Sequence, residues 1–220
     1  MNTEFSLFPV SFNVISNLLF FCIVTLAIVK VSWAEIRSDD GLQHRIGFAT
    51  VVLVTIWSLR AGVSEGLGIH FYLITAFHLI FGWQVSIALV FLVQLGMIAV
   101  GNESWMALGT NGITSGLIPI CVTYLCWKWT DSRQHRNPFT FIFGTAFLGA
   151  ILSVVVSILL LSFSFMLFDI YDWEQIANEY ILFIPLVALP EGILNGMLVA
   201  SLIIFKPQWV AMYDEKRYIL

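Results

Sequence analysis

Charged residues are scarce in this 220-residue chain. Asp, Glu, Lys and Arg together make up 11% of the sequence, whereas hydrophobic residues make up 59%. Because a soluble domain carries about 25% charged residues, the chain has too little polar surface to cover a water-soluble globule. The composition therefore predicts an integral membrane protein. The apolar runs are long and lack the two-residue alternation of a transmembrane β-barrel, so we expect an all-α, polytopic membrane helical bundle.

Several motifs and charge patterns are also absent. The net charge of −4 argues against nucleic acid as a partner. The sequence contains no GxxxxGK[ST] loop for ATP, no HExxH zinc motif and no GxSxG nucleophile motif. The three cysteines lie in apolar runs without metal-binding spacing, as is typical of buried packing residues. The N-terminus lacks the basic region of a cleavable signal peptide. We therefore expect a membrane protein that is not an enzyme.

The apolar runs predict about seven transmembrane helices. They are approximately residues 12–33, 46–59, 69–81, 84–100, 112–129, 139–168 and 180–205. The second and third runs are short for a hydrocarbon core about 30 Å thick. Gly82-Trp83 is expected to form a tight turn between the third and fourth runs.

The positions of Lys and Arg predict the orientation of the chain. In a seven-helix arrangement, nine of the 10 basic residues fall on one side, and Arg60 is the exception. Because basic residues accumulate on the cytoplasmic side, the N-terminus is expected outside and the C-terminus in the cytoplasm. One membrane domain over 1–220 would then consist of an external segment at 1–11, the helical bundle at 12–205 and a cytoplasmic tail at 206–220. A six-helix arrangement is disfavoured because it places basic loops on both sides.

The stretch 62–123 combines glycines with polar side chains at membrane depth. Glycine-interrupted apolar segments and intramembrane polar residues indicate solute sites in transporters. His70 is the candidate metal ligand, because an imidazole at a glycine-flanked helix start suits a transition metal. A histidine bound to a backbone carbonyl is the structural alternative. Five further residues are candidates for lining the site: Glu65, His78, Gln94, Asn111 and Glu191.

These candidates also have structural interpretations. His78 lies eight residues after His70, about two turns down the same helix face, and could hydrogen-bond a neighbouring helix. Asn111 suits a tight turn. Glu65 could pair with Arg60, and Glu191 lies inside the last helix, where a carboxylate needs a partner.

Five features of the sequence occur together in a known family. They are a glycine-rich loop ending in His70, the Gly82-Trp83 turn, Gln94 in the next helix, the loop Leu108-Gly109-Thr110-Asn111, and Glu191-Gly192 in the last helix. In this combination the chain resembles the CbiM/NikM-type substrate-binding membrane subunit of energy-coupling-factor (ECF) cobalt and nickel transporters. The resemblance covers about residues 46–129 by motif and the remainder by topology.

The resemblance implies a small bundle, typically of seven helices, that captures Co²⁺ or Ni²⁺ as its cargo in the bacterial cytoplasmic membrane. It implies separate partner chains, a transmembrane coupling subunit and two cytoplasmic ATPase subunits, which drive release by tilting the substrate subunit in the lipid bilayer. The absence of a nucleotide-binding motif from this sequence agrees with ATPase subunits that are separate chains. No bound cofactor is expected beyond the metal ion.

The N-terminus departs from the family. Its members bind the metal through the terminal amine, a histidine at position two and the loop histidine, whereas this chain begins MNTEFS and has Asn2 instead. Three alternatives follow. His70 could hold the metal with Asn111 or Glu65. The same fold could bind another small solute such as a vitamin. The chain could also be a membrane scaffold or regulator that does not transport.

Overall fold

The secondary structure is helical throughout the regular parts of the chain. The computed structural model describes residues 7–62, 64, 67–132 and 137–219. Within these ranges the β-type pairing is one isolated antiparallel bridge, between Ala61 and Ile69. The predicted all-α fold is confirmed. Residues 1–6, Glu65 and residues 133–136 lie outside the described ranges.

Ten α-helices and four short π- or 3₁₀-helical stretches are described. The α-helices are α1 (Val10–Lys30), α2 (Trp33–Ser38), α3 (Asp40–Ser58), α4 (Ile74–Ala99), α5 (Leu108–Gly112), α6 (Ile118–Asp131), α7 (Leu148–Leu167), α8 (Trp173–Glu179), α9 (Ile184–Phe205) and α10 (Glu215–Ile219). The π-helical stretches are Ile113–Leu117 and Thr140–Phe147, and the 3₁₀ stretches are Ile181–Phe183 and Pro207–Trp209.

Four helical runs in the described part of the chain are long and apolar enough to cross a membrane. They are Val10–Lys30, Ile74–Ala99, Thr140–Leu167 and Trp173–Phe205. Large apolar side chains such as Ile15, Leu18 and Val29 are exposed along α1. A surface of this kind suits contact with lipid and would be unusual in a soluble monomer. The number of crossings and the side on which each terminus lies stay predictions.

The helix α4 consists of two pieces that meet at Gly82. Gly82 has φ 75° and ψ 174°, a backbone conformation that favours glycine. The Ser86 hydroxyl lies 3.4 Å from the carbonyl oxygen of Phe77, although residues nine apart in a straight helix are about 13 Å apart. The chain therefore folds back at this point, and the turn predicted at Gly82-Trp83 is confirmed. We call the first piece, Ile74–Phe81, the short helix.

Two predicted helix starts were wrong. The helix α3 begins at Asp40 rather than at 46, because the Asp39 carboxylate caps it by accepting the Leu42 N–H at 2.9 Å. The short helix begins at Ile74 rather than at 69, because Leu73 adopts the left-handed conformation, with φ 51°. The residues before it, 69–73, are not helical.

The short helix connects two ends of the bundle. At one end lies the loop that contains His70, and we call it the His70 end. At the other end the chain after α9 returns to the bundle, and the Met212 N–H donates to the carbonyl oxygen of Leu79 at 3.1 Å. We call this the tail end. Lys30, at the end of α1, also belongs there, because its ammonium lies 5.6 Å from the ring centre of Trp83.

Candidate functional site

The loop between α3 and the short helix is fixed at both of its stems. The backbones of Ala61 and Ile69 exchange two hydrogen bonds, of 3.0 and 2.7 Å. The buried Trp57 donates its indole N–H to the carbonyl oxygen of Tyr72 at 3.0 Å. We call residues 59–73 the His70 loop. These bonds close the loop, so that the position of His70 is set by the surrounding protein.

His70 lies inside this loop and is 3% exposed. Its Nδ1 lies 3.1 Å from the carbonyl oxygen of Phe71, and its ring centre lies 5.2 Å from that of Trp57 and 5.4 Å from that of Tyr72. Because a carbonyl only accepts, this hydrogen bond requires the proton on Nδ1 and leaves the lone pair on Nε2. Metal-binding histidines commonly have this arrangement, although it equally fits the predicted structural alternative.

The electrostatic surroundings keep the imidazole neutral. Burial lowers the pKa of His70 well below its ordinary value, and the positive charge of Arg60 lowers it further. A neutral imidazole is the form that binds a transition metal. The loop therefore presents a nitrogen ligand without the cost of removing a proton near neutral pH.

Glu191 reaches the base of the His70 loop from α9. Its Oε2 accepts the Tyr72 N–H at 3.0 Å, and its Oε1 accepts the Leu73 N–H at 2.6 Å. Leu73 is the N-cap residue of the short helix and Tyr72 precedes it, so the carboxylate caps this helix by binding the backbone at its entry. We predicted Glu191 as a site-lining residue; the structure shows it bound to the backbone that follows His70.

Asn195 completes this cap one turn further along α9. Its Oδ1 accepts the Ala76 N–H at 2.7 Å, and its Nδ2 donates to Glu191 Oε1 at 2.8 Å. Asn195 is not among the residues predicted to line the site. The signal was present, because Asn195 follows Glu191 by four residues and therefore lies on the same helix face.

Gln94 and Asn111 meet at a third residue, Glu103. The Gln94 amide is satisfied when its nitrogen donates to Glu103 Oε2 and its oxygen accepts the Gly112 N–H at 3.2 Å. The side chain of Asn111 also hydrogen-bonds the Glu103 carboxyl group. Arg60 completes the cluster, with its Nη2 3.2 Å from Glu103 Oε1. The structure thus brings two predicted site residues together around a carboxylate that was not among the candidates.

Glu103 is paired but strongly desolvated. Its side chain is 1% exposed. Burial raises the pKa of Glu103 to about 7, while the charge of Arg60 and the hydrogen bond from Asn111 act in the opposite direction. The described ion-pair partner of Arg60 is therefore Glu103. The predicted partner, Glu65, lies outside the described residues.

Asn111 lies in helix α5 rather than in the predicted loop, and α5 packs directly against α1. The Gly109 N–H donates to Asn17 Oδ1 at 2.6 Å. A Cβ atom at Gly109 would lie 2.4 Å from the Asn17 backbone, so this close approach requires glycine. The contact fixes the start of α5 and, with it, the position of Asn111.

His78 does not share a helix face with His70. The short helix starts at Ile74, four residues after His70, so the predicted two-turn relation was wrong. His78 is fully buried, and neither of its ring nitrogens has a hydrogen-bond partner among the described residues. The hydrogen bond expected between His78 and a neighbouring helix is therefore not found there.

The described residues do not by themselves form a complete metal centre. No group of three or more His, Cys, Asp or Glu side chains within the described ranges could hold a metal ion. Asn2 and Glu65 lie outside these ranges. His70 is thus one ligand in a prepared loop.

A family of known transport proteins matches this chain. Residues 7–209 match the model of the CbiM family, described as "Cobalt uptake substrate-specific transmembrane region". The chain belongs to the CbiM family. Membership confirms the resemblance inferred from the His70, Gln94 and Asn111 motifs, and it identifies the chain as a membrane transporter component rather than an enzyme. No curated protein shows a significant match.

Two solved structures have a similar fold. One is a truncated transition metal transporter, with a TM-score of 0.74 and 16% identity, covering 93% of this chain and 99% of the other. The second is a transition metal transporter, with a TM-score of 0.64 and 15% identity, covering 99% of this chain and 96% of the other. At this identity the likeness establishes a shared fold alone.

Proposed function

We propose that this CbiM-family chain is the substrate-binding subunit for uptake of a divalent transition metal ion, Co²⁺ or Ni²⁺, and that His70 is a metal ligand. The observation that carries the proposal is the position of His70, a buried neutral imidazole in a loop fixed by Trp57 on one side and Glu191 on the other. Nitrogen ligands of this kind suit both metals.

The remaining ligands must come from elsewhere. Of the two partners that the sequence offers for His70, Asn111 already hydrogen-bonds Glu103, and its amide would have to leave that carboxylate to reach a metal. Glu65 therefore remains the stronger candidate. In this proposal Gln94 and Asn111 shape the site through Glu103, and Glu191 shapes it by capping the short helix.

We further propose that the chain works in a bacterial cytoplasmic membrane as part of an ECF transporter. A transmembrane coupling subunit and cytoplasmic ATPase subunits would be separate chains, which agrees with the absence of a nucleotide-binding motif. The N-terminus would face outward and the tail at 206–220 inward. The ATPases would then act from the tail end, opposite the His70 loop.

A metal titration tests the proposed cargo. Purified protein in detergent is unfolded thermally with increasing CoCl₂ or NiCl₂. A ligand at 100 times its Kd stabilises the folded state by about 2.7 kcal/mol, so the melting temperature should rise. The variant His70→Ala should lose this rise. His44→Ala is the matched control, because His44 is exposed on α3 at the other end of the bundle.

The outcomes separate the alternatives. If His70→Ala keeps the full metal-dependent stabilisation, His70 is not a ligand. If neither metal stabilises the wild-type chain and an organic molecule co-purifies with it, the fold serves another solute. If the chain associates with no transmembrane or ATPase partner on purification from its native membrane, the scaffold or regulator alternative is favoured.

A further inference from the structure

The short helix does not cross a bilayer by itself. Its eight residues, Ile74–Phe81, extend about 12 Å, whereas a hydrocarbon core is about 30 Å thick. The chain before it, at 69–73, is not helical, and the chain after it turns back at Gly82. Non-helical backbone is tolerated at membrane depth only where the protein satisfies its polar groups, and here each end of the short helix has its own set of partners.

At the His70 end these partners are side chains of α9. Glu191 accepts the N–H groups of Tyr72 and Leu73, and Asn195 accepts that of Ala76. Tyr72 is two residues after His70, and their rings are in edge contact. A movement of the His70 loop therefore acts directly on the first turn of the short helix.

At the tail end the partners are backbone groups of the C-terminal tail. The Ala211 N–H donates to the carbonyl oxygen of Ile80, and the Met212 N–H donates to that of Leu79, both at 3.1 Å. The last carbonyls of a helix have no partner within the helix, so the tail caps the short helix. The indole N–H of Trp127 in turn donates to the Met212 carbonyl oxygen at 3.0 Å.

The tail is also anchored beyond this cap. Arg217 pairs with Asp131 of α6 at 3.0 Å, and the Tyr218 hydroxyl lies 3.3 Å from the same carboxylate. Tyr218 further packs against the rings of Phe141 and Tyr213. The tail is thus a docked element whose innermost contact is with the short helix.

All eight residues between the two caps are buried. A fully packed helix has little room to deform locally, so a shift at one cap reaches the other as a displacement of the whole helix. We propose that the short helix couples the state of the His70 loop to docking of the C-terminal tail. If the state of the loop is set by a metal ion at His70, the coupling rests on the proposed function, and docking of the tail would then depend on whether the metal is bound.

Hydrogen exchange tests the coupling without any metal. Glu191→Gln disturbs the cap at the His70 end, and the peptide containing Ala211 and Met212 is followed by mass spectrometry. Couplings between sites are typically about fivefold or more, so amide exchange in this peptide should accelerate by at least that factor. Glu174→Gln is the control, because Glu174 is an exposed acid in the first turn of α8.

The reverse experiment starts from the tail. Ala211→Pro removes the N–H that binds Ile80, and the exchange of the Tyr72 and Leu73 amides should accelerate. Glu215→Pro is the control, because Glu215 is the first residue of α10, where proline is tolerated. If each variant accelerates exchange only at its own end, the two caps are independent and the inference is overturned.

The metal arm separates this inference from the proposed function. With Co²⁺ present, exchange around Ala211 should slow in the wild-type chain, and Ala211→Pro should raise the Kd for Co²⁺ by at most the factor by which Co²⁺ slows that exchange. If Co²⁺ does not bind the wild-type chain, the proposed cargo is wrong while the two exchange experiments still decide the coupling. If Co²⁺ binds without changing tail exchange, the cargo stands and the inference fails.

Discussion

Replacing Glu191 by Gln tests whether this carboxylate caps the short helix or faces the cargo. In the wild-type chain its two oxygens accept three hydrogen bonds, from the N–H groups of Tyr72 and Leu73 and from the Asn195 amide. A glutamine has one acceptor oxygen. Wherever that oxygen is placed, the amide nitrogen on the other branch faces a donor.

The magnitude follows from this count. If the glutamine oxygen takes the position of Oε1, the Tyr72 N–H is left without an acceptor in a buried position, which costs about 1–3 kcal/mol. The melting temperature of a chain of this size falls about 2–4 °C for each kcal/mol. Glu191→Gln should therefore lower it by about 2–12 °C in the absence of metal.

The measurement is thermal unfolding of the purified, metal-free protein in detergent, with Glu174→Gln as the charge-matched control at an exposed position. Unchanged stability of Glu191→Gln would refute the capping role. If that variant melted like the wild-type chain without metal but bound Co²⁺ more weakly, Glu191 would face the cargo, as the sequence predicts for a site-lining residue.

Three further predictions concern the packing and the charge of the site. Burial raises the pKa of Glu103 to about 7, against an ordinary 4.5. The folded state is therefore most stable relative to the unfolded state below about pH 4.5, and it loses on the order of 3 kcal/mol of stability as the pH rises through 7. Glu103→Gln should remove this loss, so that the melting temperature changes less between pH 5 and 8. Gly109→Ala should destabilise by about 1–3 kcal/mol through its clash with the Asn17 backbone, whereas Gly47→Ala, which meets nothing within 4 Å in α3, should leave the melting temperature unchanged or raise it. Gly82→Ala should lower it because of the positive φ.

Composition and local motifs predicted much of the fold. The shortage of charge predicted a membrane bundle, and the glycine at Gly82 predicted the turn that divides α4. The glycines before His70 also predicted a loop, although the next helix begins only at Ile74, four residues after His70. Both features, the turn and the loop, depend on residues that are close together in the sequence, so the sequence alone shows them.

The contacts that assemble the site join distant positions. Arg60 and Glu103 are 43 residues apart, and Leu73 and Glu191 are 118 apart. Glu103 lies in a short irregular loop, where an acid is ordinary, and nothing local distinguishes it. Glu103 contacts Arg60, Gln94 and Asn111 because of the way α3, α4 and α5 pack together. The hydrophobic periodicity of the sequence does not specify this packing.

The same contacts give some of the buried polar residues of this chain a structural role. A polar residue at membrane depth is commonly taken as functional, yet Glu191 and Asn195 bind backbone N–H groups that are free because the chain before Ile74 is not helical. Unpaired backbone at that depth would cost several kcal/mol for each group. A loop that brings His70 inside the bundle therefore requires acceptors around it, and Glu191 and Asn195 supply them. Substitutions at Glu191 and at His70 should therefore have different effects. A substitution at Glu191 should lower the stability of the fold, whereas one at His70 should weaken the proposed metal binding.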